Sequence, residues 1–334
     1  MILVTGATGL VGAHLLHRLV LKGEKIRAVY RTEKRRSQVE KIFSYYSENS
    51  KELIEKIEWL PCDITDVPKL SKAFKNITKV YHCAAFISFD PSKLSQLTKT
   101  NIEGTANIVN LAIANKVAKI CYVSSIATLG LPKKDEEIDE NTEWNPTSAN
   151  VYSLTKYDAE LEVWRGTQEG VPAVIVNPGV ILGPGTWKRG SGSFFSRYSR
   201  KQNYALPGST GYIGVDDVVA VMTFLMDAEI ENERFVLVAE NLPFKTVQTQ
   251  ILKAFGLPAP KYMIKPWQLQ VFWRLDWLRH KITGSRRVLS KNLANTIPTH
   301  STYSGEKLKQ FYPEKLEPIQ EVIKKCCAIY VQEH

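Results

Sequence analysis

The sequence predicts an α/β chain: a doubly wound parallel sheet followed by a smaller, mostly helical C-terminal region. Three observations predict it. Short, near-continuously apolar runs alternate with runs of helical period through the first half. Such βαβα order needs a parallel sheet covered on both faces. A glycine-rich turn follows the first apolar run, and the second half opens on a stretch rich in Gly, Ser and Pro.

The expected strands are Ile2–Thr5, Ile26–Tyr30, Ile57–Leu60, Lys79–Cys83, Ile120–Ser124 and Ala173–Asn177. Between them, helical period places helices over Val11–Leu21, Glu33–Tyr46, Lys69–Phe74, Leu97–Asn115 and Ala149–Trp164. Gly179–Gly214 reads as loop with one short helix. Helices are expected again over Val215–Asp227, Thr246–Phe255, Ile264–Lys281 and near the C-terminus. The acidic stretch Pro132–Asn145 reads as a solvated loop. The first domain is set at residues 1–178, with a later segment at about 212–240 returning to it, and residues 179–334 form the second region.

Composition narrows the classes. The chain has 334 residues, 44% hydrophobic and 23% charged, which fits a globular protein and argues against disorder. Lys and Arg exceed Asp and Glu by 44 to 34, so acidic ligands are favoured. The five cysteines are odd in number and show no CxxC or Cys/His ligand spacing. Neither a metal site nor a disulfide framework is expected, and a reducing cytosol is the default compartment. Met1 leads straight into an apolar strand pattern, so no signal peptide is expected. No apolar run approaches the roughly 18 residues of a membrane span.

The turn after the first strand contains Gly6, Gly9 and Gly12, spaced GxxGxxG and opening an amphipathic helix. Gly6 permits the sharp turn, Gly9 lets backbone approach a diphosphate, and Gly12 lets helix pack on strand. The diphosphate would meet the free N–H groups and positive dipole end of the helix. This is the signature of a Rossmann fold.

Where a carboxylate would select NAD, the second strand ends in Arg31, followed by Thr32, Glu33, Lys34, Arg35 and Arg36. A cation there suits a 2′-phosphate. NADP(H) is therefore the favoured cofactor, with NAD(H), held by Glu33, as the alternative. Asp63, followed by Ile64, is placed to accept from an adenine amino group or to cap the next helix, although Thr65 or Asp66 suits the cap better. Ala84 and Ala85, after His82, are small enough for a cofactor to lie flat over the sheet edge. His82 itself reads as a core histidine.

Tyr152 and Lys156 form YxxxK and share one helix face. An unperturbed tyrosine titrates near 10. A neighbouring ammonium lowers that value and suits the phenol to acid/base work. Ser124 and Ser125 follow the fifth strand, at the carboxyl edge where open α/β sheets bind ligands.

Together these motifs resemble the extended short-chain dehydrogenases/reductases, within the NAD-dependent epimerase/dehydratase superfamily. In feel they are nearest to dihydroflavonol reductases and 3β-hydroxysteroid dehydrogenases. The matching pieces are Thr5–Gly12, Asp63-Ile64, His82–Ala85, Asn101–Thr105, Ser124–Gly130, Tyr152–Lys156, Asn177-Pro178-Gly179 and Val215–Val218. The resemblance implies that Tyr152 is the acid/base, Lys156 its partner and ribose ligand, and Ser125 the donor to the substrate oxygen. Ser125 is preferred because it precedes Gly130 by five residues. Asn101 would support the catalytic helix. The resemblance also implies cofactor contacts at Gly6, Thr8, Gly9, Leu10, Val11, Gly12, Arg31, Asp63, Ile64, Ala84, Ala85, Asn101, Ser124, Tyr152, Lys156, Asn177, Pro178, Gly179 and Val180. Two departures stand out: Asn177 replaces the family's arginine before the proline, and Leu182 replaces a tyrosine. They point to a reductase of a medium-sized, partly apolar substrate. Lys188 and Arg189 keep a nucleotide-sugar epimerase or dehydratase as the alternative. A non-catalytic dinucleotide-binding regulator is a third reading, disfavoured because Tyr152 and Lys156 are both present.

From Lys261 to Lys291 there are eight Lys and Arg residues and a single acid, Asp276. Ile264, Trp267, Val271, Leu275, Leu278 and Ile282 form one apolar stripe, and Leu269, Trp273 and Trp277 a second. Core packing that also walls a substrate pocket is the first expectation. Peripheral membrane contact through residues 264–282 and a subunit contact are the alternatives. The resemblance also suggests a homodimer through Leu97–Asn115 and Ala149–Trp164, helices whose apolar residues equally suit ordinary core. No nucleic-acid module is present in the sequence.

Overall fold

The computed structural model describes residues 1–130, 136–285, 287 and 289–334. Its centre is a seven-stranded parallel sheet. The strands are β1 (Ile2–Thr5), β2 (Ile26–Tyr30), β3 (Glu58–Pro61), β4 (Lys79–His82), β5 (Lys119–Val123) and β6 (Ala173–Pro178). Farther along lie β7 (Val180–Leu182), β8 (Tyr204–Ala205), β9 (Ser209–Gly214), β10 (Glu233–Leu237), β11 (Glu240–Pro243) and β12 (Tyr262–Met263). The order across the main sheet is β10-β6-β5-β4-β1-β2-β3. The order reverses at β1, where Val4 pairs with both Ala28 and Tyr81. A crevice opens beyond the strand ends at such a switch point.

The strand sequences account for the layering. Ile2 and Val4 of β1 join one apolar cluster, while Leu3 between them joins the cluster on the opposite face. The first face carries helices Leu10–Leu21 and Val215–Asp227 through Leu16, Val218 and Leu225. The second carries Val67–Ala73, Gly104–Ala114 and Val151–Gln168 through Leu70, Ile108 and Val163. At the edge of the main sheet, β3 is exposed at both ends, and its Pro61 withholds a donor where none is needed.

The long helix expected over Leu97–Asn115 winds without a break from Leu94 to Ala114, but not with one hydrogen-bonding pattern. Leu94–Leu97 and Gly104–Ala114 are α-helical, and Thr98–Glu103 between them winds as a π-helix. The helix expected to reach Tyr46 ends at Phe43, and Tyr46 turns to donate to Asp216 Oδ1 at 3.1 Å.

The expectation of a loop over Gly179–Gly214 is corrected. That segment contributes β7 and β9 to a three-stranded sheet ordered β11-β9-β7. Its glycines serve close approach rather than disorder: a Cβ on Gly179 would lie 2.4 Å from the Gly211 carbonyl oxygen. Leu182, Phe195 and Tyr212 from this region build a core with Ile251, Ile319 and Val322.

The acidic segment is also corrected in part. Residues 132–135 lie outside the described residues. Beyond them, Glu140 is buried and accepts from the Val236 amide at 2.7 Å. It anchors the segment to β10 instead of facing solvent.

Candidate active site

The site is assembled at the carboxyl edge of the sheet. Gly6 ends β1 at φ +65°, a left-handed conformation that glycine tolerates, and a Cβ there would lie 2.5 Å from the Ala84 amide. A Cβ on Gly12 would lie 2.3 Å from the Gly6 carbonyl. Gly9 caps the helix without a side chain, and no acidic residue occupies the first turn. Thr8, Leu10 and Val11 are half-buried around it. The turn fits a dinucleotide diphosphate: backbone N–H groups at a positive helix end, with glycine at the cap.

At the end of β2, Arg31 is exposed, and its guanidinium lies 3.9 Å from Asp63. Arg35 is held below the usual arginine range first by burial, then by the cations of Arg31 and Arg189. Arg35 thus feels cations from two segments distant in sequence. Glu33 is otherwise engaged: it accepts from the Tyr30 hydroxyl and pairs with Arg36 at 3.4 Å. Asp63 Oδ1 accepts from the Thr65 amide and hydroxyl at 3.0 Å, while Asp66 caps the following helix. Ile64 is buried, and its carbonyl accepts from Asn107 at 3.1 Å.

Ala84 and Ala85 are half-buried beyond β4. His82 bridges Thr5 at 2.6 Å and Thr105 at 2.9 Å, and burial lowers its pKa to about 3. It is a neutral core histidine. Asn101 sits in the π-helical turn, accepts from the Phe86 amide at 2.7 Å, and donates to Phe86 O at 3.1 Å and to Thr155 at 3.2 Å. It ties the loop after β4 to the helix Val151–Gln168.

That helix starts cleanly because Asn150 and Ser153 form a reciprocal cap. It carries Tyr152 and Lys156, both buried. The Ser125 hydroxyl lies close enough to favour the Tyr152 phenolate, but burial outweighs it and raises Tyr152 to about 12. Ser125 Oγ also accepts from the Ala127 amide at 3.1 Å. Ser124 turns the other way, donating to Glu160 at 2.5 Å.

The expected lowering of Tyr152 by Lys156 is not what the structure shows. Lys156 Nζ donates to the Tyr122 hydroxyl at 2.6 Å and to Val123 O at 2.9 Å. Burial lowers its own pKa to about 7, with Glu160 opposing. An amine close to half-protonated at neutral pH exerts a weakened field on a neighbouring phenol.

Glu160 is the residue the sequence reading missed. One turn beyond Lys156, it is 1% exposed. Its Oε2 accepts from Ser124 at 2.5 Å, Thr128 at 2.9 Å and Asn177 at 3.0 Å, and its Oε1 pairs with Arg234 at 3.1 Å. Its spacing was the available signal: 152, 156 and 160 recur every four residues on one helix face. Asn177, expected at the cofactor, is fully buried and commits its amide to Ser125 O, Thr128 and Glu160. Pro178 is buried beside it, and Gly179 and Val180 are half-buried.

A doubly wound sheet with a glycine turn at its switch point defines a dinucleotide-dependent α/β enzyme. The chain belongs to the NAD dependent epimerase/dehydratase family, whose pattern matches residues 2–238. It is an NAD(P)-dependent oxidoreductase of the extended short-chain dehydrogenase/reductase type. It is 28% identical to a putative dihydroflavonol 4-reductase of Synechocystis sp., over 84% of this chain and 78% of that one. It is 27% identical to sterol demethylase protein B of Methylococcus capsulatus, over 80% and 78%. It is 24% identical to the UDP-glucose 4-epimerase of Vibrio cholerae, over 95% and 92%. In fold it matches the crystal structure of gox2253 at a TM-score of 0.82, with 24% identity over 100% and 98% of the two chains.

Proposed function

We propose that this protein is an NADP(H)-dependent reductase that interconverts a carbonyl and a hydroxyl on a medium-sized, partly apolar substrate. The observation that carries the reading is the Ser125–Tyr152 hydroxyl pair, with Tyr152 raised to about 12 and so protonated at neutral pH. A neutral phenol is ready to give its proton to a carbonyl oxygen. Ser125 is the second donor to that oxygen and stabilises its developing charge. Lys156 sits one turn away on the same face to hold the nicotinamide ribose. When bound, the cofactor supplies or accepts the hydride. The rim favours an apolar substrate: Ile87 and Phe89 are exposed on the loop after β4, and Phe89 packs edge-on against Tyr152 at 5.5 Å. The relatives named dihydroflavonol 4-reductase and sterol demethylase fit that class. Arg31 at the end of β2, with Arg35 feeling both it and Arg189, supports NADP(H), since such cations suit a 2′-phosphate.

A second reading, a nucleotide-sugar epimerase, draws on the near full-length similarity to the Vibrio cholerae protein. Incubation with C4-deuterated NADPH and a small-molecule extract of the source cells separates the two. A deuterated product that vanishes with Tyr152→Phe supports the reductase. Unlabelled, isomerised sugar nucleotide with co-purifying cofactor supports the epimerase.

A further inference from the structure

We infer that the helix Pro266–Thr283 docks the enzyme on an anionic membrane surface, lying along it without crossing. Of its 18 residues, only Leu269 is buried, so the expected core role is not what this helix does. The protein-facing row is Leu269, Trp273, Asp276 and His280; the last three are half-buried. Its polar members are tied down: Asp276 accepts from the Leu289 amide at 2.9 Å, and His280 meets Ser285 O at 2.6 Å.

The roughly opposite side carries Trp267, Val271, Leu275, Leu278 and Ile282, whose steps of four, four, three and four residues keep them in one row. They are 43–74% exposed. Scattered exposed apolar residues are ordinary, but a continuous row on one helix face marks an interaction surface. Tyr262 and Met263, just before the helix, are exposed as well.

Charge decides the occupant. Arg274 and Lys281 flank the row on one side; Arg279, on the other, is paired with Asp276 at 2.6 Å. Arg274 lies over the Trp273 ring at 4.6 Å and Lys281 over the Trp277 ring at 5.4 Å. Apolar stripe, flanking cations and indoles together are the pattern of an interfacial helix on anionic lipid. A second copy would bring the same cations face to face, which opposes self-association. Among the described residues, no helix is long and apolar enough to cross a membrane.

The test is co-sedimentation of the full chain with phosphatidylcholine vesicles, with and without phosphatidylglycerol. Pelleting with the anionic vesicles only, reversed by salt, is expected. R274Q/K281Q should weaken binding by about thirtyfold, and L275E/L278E should abolish it. Both variants should keep the wild-type circular dichroism spectrum and NADPH affinity, because these side chains are exposed. Three results would overturn the inference: no pelleting with anionic vesicles, pelleting that survives L275E/L278E, or a solution dimer that L275E/L278E splits. The last would assign the face to a second copy.

Discussion

The Arg234 guanidinium stands 3.1 Å from Oε1 of Glu160, joining β10 to the helix that carries Tyr152 and Lys156. The carboxylate is almost fully enclosed, and Asn177, Thr128 and Ser124 occupy its other oxygen. Arg234 also donates to the Glu140 carbonyl at 3.0 Å. Asn177 holds the place of the arginine that the family resemblance led us to expect, and the cation arrives instead from the neighbouring strand. Removing one partner of a buried pair leaves the other uncompensated. Arg234→Met should therefore destabilise the protein by about 3 kcal/mol, read from urea unfolding. An unchanged unfolding midpoint would show that the pair contributes nothing.

Glu160 also acts on Lys156, whose pKa it raises against the dominant effect of burial. Glu160→Gln should lower Lys156 further below its value of about 7. If the ammonium form supports reduction, the alkaline limb of the kcat profile moves to lower pH. A purely structural role for Glu160 would reduce activity at every pH and leave the limb in place.

The fold was legible because β1, β2 and β6 are mostly apolar runs, buried at every position, and the helices between them keep a 3.6-residue period. Most expected strand ends fall within a residue of those observed. What failed did so for identifiable reasons. Gly179 and Gly211 look like loop residues in sequence, yet they allow two backbones to pass closely within a sheet. The π-helical turn at Asn101 depends on tertiary bonds to Phe86 and Thr155 that no local pattern encodes. Tyr152, Lys156 and Ser125 were legible as candidates from motif spacing. The carboxylate that organises their surroundings was not, because its partners lie on three separate strand ends or strands.

Acid should destabilise the fold through His82. Its folded pKa is about 3, lowered by burial from the usual 6.5. Between those values the unfolded chain binds the proton and the folded chain does not, so stability falls as pH drops from about 6.5 toward 3. His82→Asn, which does not titrate, should flatten that part of the profile even if it lowers stability at pH 7. Parallel slopes for the two proteins would assign the acid sensitivity elsewhere.

Gly12→Ala should abolish dinucleotide binding. Its Cβ would press on the Gly6 carbonyl at 2.3 Å, and backbone on both sides leaves no flexible side chain to yield. The turn must open, which displaces the N–H groups at the helix start. Fluorescence titration with NADPH should show loss of binding, accompanied by a lower melting temperature. Wild-type affinity would mean that the turn is not the diphosphate cradle.

Arg31 sets the final prediction. Its guanidinium is exposed at the end of β2, with Asp63 at 3.9 Å, and it acts together with Arg189 on Arg35. Charge-assisted bonds to a phosphate contribute about 1.5–3 kcal/mol. Arg31→Asp both removes such a donor and places a carboxylate where the 2′-phosphate would lie. NADPH affinity should fall by about thirtyfold or more, while NADH affinity changes little or improves. Arg189→Ala should move the same ratio in the same direction but less, because Arg31 and Arg35 remain. Titration calorimetry with each cofactor measures both ratios. Equal losses for NADPH and NADH would remove these cations from the phosphate site and return the choice of cofactor to Glu33.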